Sequence, residues 1–397
     1  MADTADVVVV GAGVIGGAVA YYLAREGAKV RILEQEAIGS GASAHATGSI
    51  SLVGAEFVPG PSFEEALESY RMFPDLVSAL EEETGMDLLF QRKPSLRLAL
   101  DEEEERLIED LRKWQMELRP TKWIDGDEVR RIEPRLSPNI LKAAYEDESS
   151  QLDSYRLTLA LGRAAEKRGA EMQLRKVTGL ITEGGRVRGV ETSGGEFHCD
   201  TVVLAAGAWC ADFGRDLGYT IPVRPLKGER LLLKYEGDPL PVLISSPKRG
   251  HMISRLDGLL SVGSTGGRDY DDQSLFLGVE FDRVPTEVAR LELLQRAVDV
   301  FPVVESAQLV QQLAGSRPLT PDRMPILGPV PGWEGVMLAT GHATKGIHLA
   351  PITGRVIADY VLRGKTDVPV DMDAFLVSRF DASDSHDYRE AGKNVDE

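Results

Sequence analysis

The stretch ADVVVVGAGVIGGAVAYYLAREGAKVRILEQE, residues 5–36, leaves this chain few ways to begin folding. Val7 to Val10 are a continuous apolar run of strand length, and Gly11, Gly13 and Gly16 follow in a G-x-G-x-x-G pattern. A helical pattern then runs from Val14 to about Glu26 and stops at Gly27. Val30 to Leu33 read as a second strand, closed by Glu34 with Gln35 beside it. Strand, glycine turn, helix, strand and acid in that order form the dinucleotide fingerprint. The glycines permit a tight turn, close approach of backbone to a pyrophosphate and close helix packing, with Val14 and Ile15 opening the helix toward the negative charge. Glu34 lies at the spacing that grips a ribose hydroxyl pair.

The same stretch is uncharged from Val7 to Ala24, nearly long enough to span a bilayer. Asp3 and Asp6 precede it where an export signal carries lysine or arginine, and glycines interrupt it, so the sequence predicts neither a membrane span nor a leader. The formal charge of -18 disfavours nucleic acid and anionic membrane as partners. Cys199 and Cys210 form no C-x-x-C pair and have no histidine-rich surroundings, so no metal site is expected and a reduced, cytoplasmic setting is. At 397 residues the chain exceeds one typical core.

Further along, residues 62–85 read as helix and LLFQRKPSLRLAL as strand. DEEEERLIEDLRKWQMEL reads as an exposed acidic helix with Leu107, Ile108 and Leu111 on its apolar side, the acid run serving its N-terminal dipole. Residues 152–169 are an amphipathic helix, and TVVLAAGAW, residues 201–209, is a buried strand running into Ala206 and Gly207. From Arg224 to Glu280 short strands and turns predict an antiparallel sheet, with Asp257-Gly258 as a hairpin turn. Helix returns over 285–301, then a strand, a glycine loop and a last helix.

Two segments need a chemical reading. GSGASAHATGS, residues 39–49, is rich in small residues just past Glu34, as a loop running along a long ligand would be. GSRPLTPDRMPILG, residues 315–328, sets Arg317 between a glycine turn and a proline-rich hook, where a held guanidinium has an anion to meet.

With these motifs the chain resembles the D-amino-acid-oxidase-like flavoproteins, which include glycine oxidase and sarcosine oxidase, over almost its whole length to about residue 380. Ser40, Gly41, Ser43 and Gly48 match that family's small-residue stretch after the ribose acid, and the cofactor implied is FAD. GSRPLTPDRMPILG and GHATKGIHLAPITGR match its two C-terminal segments. In relatives the first arginine of these binds the substrate carboxylate, which assigns that role to Arg317. The alternative for Arg317 is a structural pair with Asp322.

The loop Gly341, His342, Thr344, Lys345, Gly346, Ile347 is expected under the flavin ring, its helix N-terminus facing the pyrimidine edge, with Val177 also on the cofactor. Lys345 matches a lysine that contacts substrate carboxylate in sarcosine oxidases; its other reading is a solvent-facing side chain. His45 matches, in register, a histidine covalently bonded to flavin in related dehydrogenases; its other reading is a packing residue. His251 stands where glycine oxidase-like sequences often carry a carboxylate-binding tyrosine, and Ser261 stands near the place of an oxygen-activating lysine in sarcosine oxidase.

The resemblance implies an α/β fold: a Rossmann-like FAD-binding domain built from residues 1–75, 145–223 and 311–380, with an inserted α+β substrate domain, mainly antiparallel sheet, from 76–144 and 224–310, and a polar tail from 381. It implies oxidation of the carbon–nitrogen bond of glycine, a D-amino acid or an N-alkyl amino acid, with O2 or another electron acceptor. The alternative function is a flavin-carrying subunit of a multi-subunit amino-acid dehydrogenase complex that relays electrons to a partner; a homo-oligomer is also compatible with the resemblance.

Overall fold

The computed structural model describes residues 4–53, 57, 59–265 and 281–381. The tail expected from 381 lies outside them apart from Asp381, as does the 266–280 part of the expected antiparallel block.

Two sheets organise the chain. The first has eight strands. Its parallel part runs Val336–Thr340, Gly195–Leu204, Thr4–Val10, Val30–Glu34, Glu171–Leu174, with Ile326–Pro329 added antiparallel at one edge. Val7 to Val10 are all buried, as a parallel strand covered on both faces requires. On one side lie Val14–Arg25, Ser154–Lys167, Pro61–Thr84 and the last helix, Gly346–Arg363, around a core that includes Val9, Val19, Leu161 and Ile352. The last helix approaches the first so closely that a Cβ at Gly354 would sit 2.7 Å from the Ala18 Cβ.

The second sheet has nine strands, in the order Gln308–Leu319, Arg224–Lys234, Leu260–Gly263, Gly250–Ser254, Leu243–Ser246, Gln91–Ala99, Lys142–Gln151, Ser49–Ile50, with Lys122–Asp125 also on Lys142–Gln151. Every pairing is antiparallel except that of Leu243–Ser246 with Gln91–Ala99. The Asp257-Gly258 turn joins two of these strands, Gly258 taking φ +84.

One sequence reading needs correcting. The acid run at 101–105 does start a helix, Glu102–Gln115, with Asp101 as its cap. Glu104, however, is buried, accepting from the Leu100 and Lys248 amides at 2.8 and 3.0 Å and pairing with Arg249. Helical periodicity turns one acid of the run inward, where it ties the helix to the second sheet.

Candidate active site

The carboxyl ends of the parallel strands and one face of the second sheet enclose a cavity of about 550 Å³. Its far end is the glycine turn. Gly11 takes φ +104, and a Cβ there would meet the Ala205 carbonyl at 2.7 Å, so only glycine brings the two strand ends this close. The Glu34 carboxylate accepts from the Ala12 and Glu36 amides at 2.8 and 2.9 Å, which fixes its position at the strand end. Ser43 Oγ accepts from the Val14 amide at 3.0 Å, binding the small-residue loop to the helix N-terminus. Gly11, Gly13, Val14, Ile15, Glu34, Gln35, Ser40, Gly41, Ser43, His45, Val177, Ala206, Gly207, His342, Thr344, Gly346 and Ile347 all line this cavity. Gly16, Gly48 and Gly341 do not. A Cβ on them would strike the Gly11 carbonyl at 2.0 Å, the Leu152 carbonyl at 2.0 Å and Thr320 Cγ2 at 2.5 Å, so they let backbone segments approach one another.

The residues present fit a dinucleotide. A helix N-terminus faces the cavity, the Glu34 carboxylate is tied to the turn through the Ala12 amide, Arg175 and Lys176 add positive charge, and Val10, Leu33, Ala205 and Ala339 give apolar wall.

At the other end stands Arg317. The expected glycine turn before it is instead strand. Gln308–Leu319 is continuous, with Gly315 opposite Gly228 and Arg317 opposite Leu226, because pairing with Arg224–Lys234 extends across the glycines. The hook begins only at Thr320. The Ser316 amide donates to the Gly41 carbonyl at 3.0 Å, which sets the strand carrying Arg317 against the cofactor loop. Arg317 Nη2 donates to the Thr265 carbonyl at 3.2 Å. Asp322, the alternative partner, gives both its oxygens to Arg379 at 2.7 and 3.1 Å. His251 also lines the cavity, its Nε2 2.5 Å from Thr47 Oγ1.

Lys345 follows neither sequence reading in full. It is 3% exposed, donates to the Arg323 carbonyl at 3.1 Å and lies over the Phe57 ring, so it does not face solvent. It lines a smaller adjoining cavity, which shares Arg317 and His251 with the main one. His342 is buried against Thr353, Nε2 to Oγ1 3.0 Å, and burial holds its imidazole neutral with a pKa of about 3. Burial and the nearby Arg230 and Arg283 charges also lower the pKa of His45. Each imidazole is thereby biased toward neutrality.

Behind the loop, Glu65 is 1% exposed, and burial raises its carboxyl from 4.5 to about 8 against the opposing pull of Lys345 and Arg379. A raised carboxyl binds a proton in the folded state where the unfolded chain has lost it. Its stabilising share is therefore complete below 4.5 and is lost as pH rises through about 8. Urea titrations at about pH 5 and about pH 9 should show Glu65→Gln flattening a decline on the order of 4 kcal/mol in the unchanged protein.

Gly228 and Arg230 are among the cavity residues that the sequence reading did not find. A Cβ on Gly228 would lie 1.8 Å from Arg317 Nη2, so the guanidinium rests in the space that this glycine leaves. Arg230, two residues on, is 5% exposed, donates to Ser261 Oγ at 3.1 Å and has no partner for its buried Nε among the described residues. Burial lowers it only to about 10, so it stays cationic. A cation thus does reach the Ser261 position, from the neighbouring strand. The visible signal was the lone pattern KGERLLLK, in which a glycine and an arginine share one face of a strand.

The profile of the FAD-dependent oxidoreductase (DAO) family matches residues 6–360. The chain is 33% identical over 366 residues to a glycine oxidase of Geobacillus kaustophilus (strain HTA426), covering 91% of this chain and 94% of that one. It is 30% identical over 421 residues to the hydrogen cyanide synthase subunit HcnC of Pseudomonas aeruginosa, covering 96% and 97%. The crystal structure of glycine oxidase from Geobacillus kaustophilus superposes with a TM-score of 0.87 at 31% identity, over 95% of this chain and 99% of that one. With the fingerprint, the two-sheet fold and the arginine-bearing strand all in place, the chain belongs to the FAD-dependent oxidoreductase family and takes FAD as its cofactor.

Proposed function

We propose that this chain oxidises the carbon–nitrogen bond of a small amino acid, glycine, a D-amino acid or an N-alkyl amino acid, to an imine that water hydrolyses to an oxo acid. The observation that carries this is Arg317, held over Gly228 at one end of a cavity whose other end is a dinucleotide cradle. A guanidinium binds a carboxylate through two parallel hydrogen bonds, which fixes the α-carbon as well as the charge. FAD, when bound, supplies the acceptor for the hydrogen and electron pair that leave this carbon. The Ser316 contact to Gly41 holds the Arg317 strand in register with the cofactor loop, so orientation is built into the backbone. The first amides of Gly346–Arg363 aim their dipole at the cavity, where they favour negative charge. Assigning Arg317, His251 and Lys345 to substrate, and the cavity-lining residues above to FAD, is part of the same proposal.

The division into a nucleotide-binding part and an inserted part is supported by the strands of the first sheet, which come from 4–34, 171–204 and 326–340. The electron acceptor is O2 or a partner; relay to a partner subunit is the reading favoured by the likeness to HcnC. We place the protein in the cytoplasm, in keeping with two free, buried thiols; among the described residues no helix is long and apolar enough to cross a membrane.

The purified protein should be yellow and should bleach anaerobically on addition of a member of an amino-acid panel. A colourless protein that takes up no FAD, or one that bleaches with no amino or imino acid, overturns the proposal.

A further inference from the structure

Beside Arg317 the main cavity joins a second one of about 390 Å³. Its wall carries Arg97, Lys248, Arg296, Arg317, Arg323 and Lys345, and no acidic side chain among the described residues lines it. In a chain of formal charge -18 such a concentration is contrary to the prevailing field, which repels anions. Two of these cations are already met at the rim: Lys248 by Asp101 at 3.1 Å and by Glu103, and Arg296 by Glu292.

Arg323 differs from them. Its guanidinium makes no hydrogen bond or ion pair among the described residues. Its acidic neighbour, Asp322, is committed to Arg379. Its backbone sits at φ +60, a region costly for an arginine, and is held from both sides: its amide donates to the Thr320 carbonyl at 3.2 Å and its carbonyl accepts from Lys345. The hook of the 315–328 segment thus holds a strained residue at the wall of a basic chamber that opens onto the carboxylate-binding arginine. The remaining wall includes Leu226 and Leu319, which leave room for a short carbon arm.

We propose that this chamber receives a second carboxylate of the substrate, so that the preferred substrates are dicarboxylic amino or imino acids, with Arg323 as the specificity-determining cation. The proposal rests on the amino-acid oxidation reading above. One carboxylate meets Arg317, the oxidised carbon faces the cofactor side, and the second acid group takes the charge that Arg323 offers. The arm is attached either through carbon, as in D-aspartate and D-glutamate, or through nitrogen, as in iminodiacetate.

The test compares kcat/KM of the FAD-loaded enzyme for these three diacids with that for glycine, sarcosine and D-alanine, in the unchanged protein and in Arg323→Gln and Arg323→Lys. At least one diacid should exceed every monoacid by roughly tenfold, the worth of one additional charged hydrogen-bonded contact. Its KM should also rise more steeply with salt than that of glycine. Arg323→Gln should cut the diacid-to-glycine ratio by about tenfold, and Arg323→Lys should recover part of it. Thermal unfolding and bound FAD per chain, measured for each variant, separate this from a folding defect. Equal use of diacids and monoacids, or a ratio unmoved by Arg323→Gln, overturns the proposal and leaves amino-acid oxidation standing. Bleaching by no amino acid at all sinks the parent reading instead. Whether D-aspartate or iminodiacetate is faster assigns the arm to carbon or nitrogen.

Discussion

Arg317→Ala should lower kcat/KM for the best amino-acid substrate about a hundredfold or more, which is a loss of about 2 to 4 kcal/mol of transition-state binding. The residue spans the wall between two cavities, and its strand is pinned to the cofactor loop through Ser316 and Gly41. Removing it therefore takes away both the attraction for the carboxylate and the reference point from which the α-carbon is aimed. Arg317→Lys should recover only part of the loss, because an ammonium is a point charge and cannot hold the two carboxylate oxygens in one plane. The fold should tolerate either change, since the strand beneath Arg317 is held by its backbone pairing with Arg224–Lys234, and Asp322 is bound to Arg379. The measurement is steady-state kinetics beside the flavin spectrum. A full complement of FAD with collapsed efficiency assigns Arg317 to substrate. Unchanged efficiency returns it to a structural role.

The nucleotide end was legible because its physics is local. Gly11, Glu34 and the first helix lie within 24 residues of one another, and each answers to turn geometry, helix dipole or side-chain reach. The substrate end was legible only in part. Arg317 could be found by its proline-stiffened surroundings and its resemblance, but the strand beneath it could not, since its pairing with Arg224–Lys234 joins residues about 90 apart. Lys345 was ambiguous for a related reason. Its burial depends on Phe57 and the Arg323 carbonyl, both brought in by distant segments. Glu104 was misplaced because a run of like charges reads as a solvated face, whereas its partners, Lys248 and Arg249, sit on a hairpin of the second sheet more than 140 residues along the chain. Sequence patterns carry what a residue must do for its own element; what it does for a neighbouring element follows from register.

Gly228 is where that limit has the largest consequence. A Cβ built there lies 1.8 Å from Arg317 Nη2, 2.1 Å from Cζ and 2.6 Å from Nε. All three atoms belong to the end of a flexible side chain, so Gly228→Ala can be accommodated only by moving the guanidinium off its seat. Gly228 lies inside a strand, where alanine is the better residue by roughly 0.5 to 1 kcal/mol, so the variant should unfold no earlier than the parent. Its kcat/KM should nevertheless fall about tenfold to a hundredfold, approaching the loss expected on removing the arginine altogether. The decisive form of the experiment is the cycle with Arg317→Ala. If the methyl group acts by displacing the guanidinium, the double variant should be no worse than Arg317→Ala alone, a coupling nearly as large as the Gly228→Ala effect itself. Additive losses would mean that Gly228 serves the cavity by some route other than seating Arg317.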